Sequence, residues 1–334
     1  MSSQSNRRPY FDALRGLAII MVVGIHTVPE RAWAFDTFEN ILTIVIRLSL
    51  NCAVPLFLAI SGYFVGSKKI GSRSEYFDFL KRQIPTVYVP CLVFSVPWLV
   101  MSVRAGHSSV VTDAAKFFLC GFSVYYFVAL IIQYYVLSPV LIGLNKLRGG
   151  VFLTAVISAV SIMAVTCMMS FRGYNLPLLV YAGGFPLWII FFFMGIRFSD
   201  HSRAFDLKYP IIVIAAGLAL QIIECNWLFS IDGRGLGIKL SSFVFSAGVV
   251  WLAFSERLEN SYAETRFTAA INYIGRISFG IYLLHVYVIE IWKRLLPAGS
   301  WVVDWIAVMC LTVSVIAFVK ALNPRFAKKY LGFR

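Results

Sequence analysis

Charge is what this chain has least of. Only 14% of its 334 residues are Asp, Glu, Lys or Arg, against 59% hydrophobic, and the mean hydropathy is +0.78. A water-soluble domain carries about 25% charged residues, so there are too few here to cover a water-facing surface. No polar stretch is long enough to form a separate soluble domain. The sequence also has no P-loop, no H-E-x-x-H, no EF-hand loop and no C-x-x-C pair, which removes the familiar nucleotide, zinc and calcium signatures. Its six cysteines (52, 91, 120, 167, 225 and 310) are scattered and read as small apolar residues, not as a disulfide or metal framework. Histidine is rare: His26, His107, His201 and His285 are all there are.

What the sequence does have is long apolar runs. A membrane-spanning helix needs about 20 mostly apolar residues, and ten stretches qualify or nearly do: 11–29, 43–65, 84–103, 122–144, 151–169, 184–198, 209–224, 239–254, 271–291 and 302–321. The sixth to eighth are short. The stretch 114–121 is expected to be a short interfacial or re-entrant piece. This pattern predicts an all-α integral membrane protein, one bundle of about ten transmembrane helices forming a single domain over 1–334. The first run follows Arg7 and Arg8 but lacks a small-residue cleavage site, so it reads as an uncleaved span.

Lysine and arginine set orientation. With the N-terminus inside, 18 of the 30 cations fall on the cytoplasmic side, 8 on the other and 4 within spans. Both termini are therefore expected in the cytoplasm. The net charge of +14 follows from this bias and from contact with anionic membrane lipids, not from nucleic-acid binding.

The first span, "DALRGLAIIMVVGIHTV" (12–28), carries Asp12, Arg15 and His26. Arginine within hydrocarbon is costly. Arg15 and His26 are 11 positions apart, about 20° past three turns at 100° per residue, so they share a helix face with about 16 Å between them. Asp12, three residues before Arg15, is placed to pair with it. Two plainer readings stand beside a functional one: an arginine snorkelling to the interface and a histidine bonding between helices. Late in the chain Ser278, Tyr282 and His285 fall at i, i+4, i+7 and share a face; a hydrogen-bonded stripe between helices is the plain reading there.

Arg15-x10-His26 resembles the signature of the acyltransferase 3 family of integral membrane acyltransferases. "VPLFLAISGYF" (54–64), "FLKRQIPTVYVP" (79–90), "VYYFVALIIQYYVLSP" (124–139) and "IGRISFGIYLLHVYV" (274–288) resemble further stretches of that family, in its order. The resemblance implies a stand-alone member in the bacterial inner membrane, with no appended SGNH hydrolase-like domain. It also implies an O-acyltransferase that moves an acyl group, most often acetyl, from cytoplasmic acyl-CoA to a hydroxyl of a surface glycan or lipid-linked sugar. No permanently bound cofactor is expected; acetyl-CoA is the donor substrate. The first-span Arg and His that the family depends on map to Arg15 and His26.

Physical roles follow from that expectation. Arg15, with a basic loop over 68–82 (Lys68, Lys69, Arg73, Lys81 and Arg82), would hold the phosphates of coenzyme A. His26 would deprotonate the acceptor hydroxyl or be acylated transiently. His285 would support it, and Glu30 is a weaker candidate because Pro29 intervenes. Gln133, Ser278 and Tyr282 are candidates for acceptor contact; Glu224 and Asp232 are remoter ones. Arg47 and Asn51, at i, i+4, read as a structural contact, and Ser61-Gly62 as a close helix approach. The rival is a multi-span transporter or flippase for an envelope polysaccharide precursor, whose pathway intramembrane charges would line.

Overall fold

The computed structural model describes residues 8–28, 37–68, 70–106, 108–232, 235–296 and 300–333. Among them every regular element is helical. The helices are α1 (Pro9–Thr27), α2 (Phe38–Ser49), α3 (Ala53–Gly66), α4 (Arg73–Ala105), α5 (Val110–Phe118), α6 (Tyr126–Asn145), α7 (Gly150–Thr166) and α8 (Leu178–Tyr181). They continue as α9 (Phe185–Asp200), α10 (Lys208–Asp232), α11 (Leu240–Ala253), α12 (Glu256–Asn260), α13 (Arg266–Arg276), α14 (Ser278–Leu295), α15 (Trp301–Leu322) and α16 (Pro324–Tyr330).

Seven helical stretches among the described residues are long and apolar enough to cross a membrane, and eight if α13 and α14 form one bent span. Each of the ten expected segments coincides with helix, but not always with one straight span. α9 has 16 residues and α11 has 14, about 24 and 21 Å at 1.5 Å per residue, shorter than a hydrocarbon core of roughly 30 Å. The segment expected over 209–224 is longer, the 25 residues of α10. The segment 43–65 is two helices joined by a 3-10 turn at Leu50–Cys52. The segment 271–291 is bent by 77° between Arg276 and Ser278.

The basic stretch expected as a loop over 68–82 is helical from Arg73. Ser72 accepts the amide of Glu75, and the Glu75 carboxylate accepts the amide of Ser72. This capping box satisfies two otherwise unpaired donors and starts α4 there. α4 then runs for 33 residues through Pro85, Pro90 and Pro97. The interfacial piece expected over 114–121 overlaps α5, which ends at Phe118.

α1 is the centre of the bundle. The best apolar window of α1 is 61% buried within the protein, whereas those of α4 and α7 are each 17% buried, which leaves the latter two to face lipid. The first half of α1 (Tyr10, Phe11, Leu14 and Ala18) packs into one apolar cluster with α3, α6, α9 and α11. Its second half (Ile19, Val22 and Val23) packs into another with the start of α6, α14 and α15. Trp305 of α15 donates its indole N–H to the Ile20 carbonyl at 2.9 Å, fixing α15 against α1. α3 and α9 meet backbone to backbone: a Cβ on Gly62 would lie 2.0 Å from the Phe192 carbonyl oxygen, and one on Gly195 2.0 Å from that of Ala59. Only glycine permits that approach.

Candidate functional site

A cavity of about 650 Å³ runs along α1, bounded by α3, α4, α6 and the α13–α14 corner. Arg8, Asp12 and Arg15 line it on one half of α1, and Val22, Ile25 and His26 on the other. The helical arithmetic thus has a physical counterpart: Arg15 and His26 border the same space from different turns of one helix.

At the Arg15 end, Pro9 at the first helical position opens α1, and Asp12 stands in its first turn, where the helix dipole favours a carboxylate. The Arg15 guanidinium donates to Asp12 Oδ1 at 2.9 Å and lies 4.8 Å from the ring centre of Phe64. Arg8 donates to the Tyr63 hydroxyl and sits 3.7 Å from Glu259. Both guanidiniums are partly neutralised by carboxylates and held over aromatic faces. Such anchoring lowers the entropy of presenting them to a ligand.

At the other end, the rings of His26 and His285 face each other with centroids 5.4 Å apart and planes at 43°. His285 is fully buried. Its Nδ1 is 3.0 Å from the Ile281 carbonyl oxygen, which has no proton to give, so Nδ1 carries the hydrogen in the neutral ring. Nε2 is then a bare lone pair, and it is buried without a hydrogen-bond partner. One turn earlier, Tyr282 donates to the Val124 carbonyl, while Tyr125 donates to that of Leu283 at 2.8 Å. These reciprocal bonds lock α14 to the start of α6 and fix the height of His285.

Of the residues singled out in the sequence, Arg15, His26, Ser278 and Tyr282 line the cavity, and His285 stands against His26. Glu30 and Lys69 lie outside the described residues. Lys68, Arg73, Lys81 and Arg82 are exposed and do not line the cavity; Lys68 covers the Phe79 ring at 4.7 Å and Arg73 that of Phe77 at 5.6 Å. Gln133 is away from the cavity and engaged elsewhere. Its amide nitrogen donates to the carbonyls of Gly183 (2.7 Å) and Ala129 (3.3 Å), and its amide oxygen accepts the Phe185 amide at 3.1 Å. It staples the chain entering α9.

Arg47 donates to Asn51 at 2.9 Å, and Asn51 to Gln221 at 3.2 Å. Glu224 accepts the Ser241 amide at 2.8 Å. Nearby, Lys239 is wholly buried and donates to the Gly235 carbonyl at 2.8 Å. The Asp232 side chain is outside the described set. Among the described residues no group of three His, Cys, Asp or Glu is placed to hold a metal ion.

Sequence reasoning passed over several cavity residues. Arg8 reads in the sequence only as a basic flank, and nothing there singles out Arg276, nor Gln83 and Thr86 on α4, nor Tyr126 and Tyr135 on α6, all of which line the cavity. The two tyrosines lie inside the aromatic stretch 124–139, which was a usable signal.

A family model described as an acyltransferase domain, that of the acyltransferase 3 family, matches residues 8–321. The chain belongs to that family. The match covers α1 through nearly all of α15, so the cavity and both histidines fall within the acyltransferase domain. Searches of curated proteins and of solved structures return no match. The acyltransferase is thus a multi-helix protein of the membrane, and Arg15 and His26 stand at opposite ends of its internal cavity.

Proposed function

We propose that this acyltransferase takes an acyl group, most often acetyl, from acyl-CoA and passes it to a hydroxyl of a surface glycan or lipid-linked sugar. The observation that carries the reading is one cavity with guanidiniums at one end and His26, backed by His285, at the other. Coenzyme A has the same polarity: phosphates at one end, a thioester at the other, and a thin pantetheine arm between them. Arg15 and its neighbours bind the phosphates by charge-assisted hydrogen bonds. The thioester comes to rest beside His26.

In the transfer, His26 accepts the proton of the acceptor hydroxyl as its oxygen attacks the thioester carbonyl. The C–S bond breaks and the coenzyme A thiolate takes up the proton. His285, its hydrogen committed to the Ile281 carbonyl, offers Nε2 to the His26 side and steadies the ring as its charge rises. An acyl-His26 intermediate fits the same geometry. In the same reading the chain crosses a bacterial inner membrane about ten times with both termini in the cytoplasm, which places the Arg15 end on the side where acyl-CoA is found. α9 and α11 then cross as short helices covered by their neighbours.

Mass spectrometry of surface glycans and glycolipids from cells with and without the gene tests the proposal. A mass difference of one acyl group per modified unit, lost on deletion and restored by the wild-type gene, is expected. Identical spectra from cells that express the protein would overturn it.

A further inference from the structure

The corner between α13 and α14 carries features that the transfer mechanism leaves unused. The chain turns by 77° between Arg276 and Ser278, and Ile277, at the turn, leaves helical geometry with φ −97° and ψ 9°. α14 therefore begins anew at the cavity wall, with Ser278 and Phe279 among the lining residues. Its N-terminus has no side-chain cap. An uncapped helix start presents amide hydrogens and the positive end of the helix dipole, the standard conditions for holding an anion. Interrupted helices within membrane proteins use such half-helix ends to bind anionic groups.

Two side chains at the corner point the same way. Ser278 is 6% exposed and lines the cavity, and its hydroxyl has no hydrogen-bond partner among the described residues. Arg276 also lines the cavity and has no carboxylate partner among the described residues, whereas Arg8 and Arg15 each have one. It lies 5.8 Å from the ring centre of Tyr273, and Lys320 approaches the same ring at 6.0 Å. The corner is thus cationic.

We propose that the α13–α14 corner is a phosphoryl-binding site, formed by the N-terminus of α14, the Ser278 hydroxyl and the Arg276 guanidinium. Ser278 is then a phosphate ligand, not an acceptor contact. Arg276, which has no carboxylate to shed, supplies the net positive charge that the Arg15–Asp12 pair does not. The phosphoryl group can belong to the nucleotide end of acyl-CoA or to a lipid headgroup. The first source rests on the function proposed above; the site itself rests on the corner.

The test is calorimetric titration of adenosine 3′,5′-bisphosphate, the phosphate-bearing end of coenzyme A, into the full-length protein in zwitterionic phosphatidylcholine nanodiscs. Arg276→Ala removes an exposed cation and should weaken binding roughly tenfold at low salt. Ser278→Asp places a carboxylate where the phosphate sits and should weaken it further. Ser278→Thr keeps the hydroxyl and should stay near the wild-type affinity. Wild-type affinity in both Arg276→Ala and Ser278→Asp would overturn the corner site and leave the acyl-CoA reading standing. If the wild type binds no bisphosphate, it is the acyl-CoA reading that fails. Native mass spectrometry of retained phosphatidylglycerol then decides the corner: less lipid on Arg276→Ala than on wild type supports a headgroup phosphate, and equal lipid overturns the site.

Discussion

Gly275→Ala is the substitution that joins the fold to the site most tightly. Gly275 sits in α13 one residue before Arg276, pressed against α1. A Cβ there would lie 1.8 Å from the Asp12 carbonyl oxygen, 2.7 Å from its carbon and 3.0 Å from the Gly16 amide nitrogen. All three are backbone atoms, so no flexible side-chain tip can swing aside. Real Cβ contacts essentially never fall below 3.0 Å, so the helices must part by about 1.2 Å at this point, an overpacking that costs about 1–3 kcal/mol. Asp12 anchors Arg15, and the corner that follows Gly275 leads into the helix of His285, so the shift reaches both ends of the cavity. A misplacement of about 1 Å is worth about a hundredfold in rate. The expected result is a fall of several degrees in thermal midpoint, and a loss of acyl transfer of about a hundredfold at temperatures where the variant remains folded. Circular dichroism in detergent micelles and a radiolabelled acyl-transfer assay on membranes read the two quantities. A variant with wild-type midpoint and wild-type rate would refute the claim that this contact sets the cavity.

Other substitutions separate binding, chemistry and scaffold. Gln133→Leu strands the Gly183 carbonyl and the Phe185 amide; at about 1–3 kcal/mol for each unsatisfied group, the thermal midpoint should drop clearly while affinity for coenzyme A stays within about twofold, and an unchanged midpoint would remove its role as a staple. Arg15→Ala leaves the Asp12 carboxylate unpaired at the cavity mouth, so titration should show acetyl-CoA binding weakened by about tenfold or more, with acceptor affinity nearly unchanged; equal loss of both would count against a phosphate-binding role. His285→Ala should cut transfer by about 10²–10⁴ without weakening donor binding, and a steady-state rate near wild type would confine His285 to packing.

Much of this was open to sequence reasoning because it rests on helical periodicity. The 100° step puts Arg15 and His26 on one face, and the i, i+4, i+7 step does the same for Ser278, Tyr282 and His285; both sets line or abut the cavity. Hydropathy placed helix in each of the ten expected segments, seven of which are long and apolar enough among the described residues to cross a membrane, since burial and lipid exposure both demand apolar side chains. It missed the corner at Ile277 for the same reason: an apolar average is blind to backbone direction, and no proline marks the bend. The helical start at Arg73 was legible, as Ser72 and Glu75 spell a capping box three residues apart. The engagement of Gln133 was not, because its partners lie 50 and 52 residues away at the entry to α9. Which cations reach the cavity was hidden on similar grounds. Lys68, Arg73, Lys81 and Arg82 are close together in sequence and away from the cavity, while Arg8 and Arg276 are far apart in sequence and both line it.

The central claim is that His26, at the far end of the cavity from Arg15, takes the acceptor proton. Inverted membrane vesicles from cells making wild-type or His26→Ala protein, supplied with radiolabelled acetyl-CoA, measure this directly as label in membrane glycans. The account predicts a loss of at least about a hundredfold on His26→Ala, with equal amounts of protein in the membrane and unchanged binding of acetyl-CoA. Transfer by His26→Ala at the wild-type rate would contradict it.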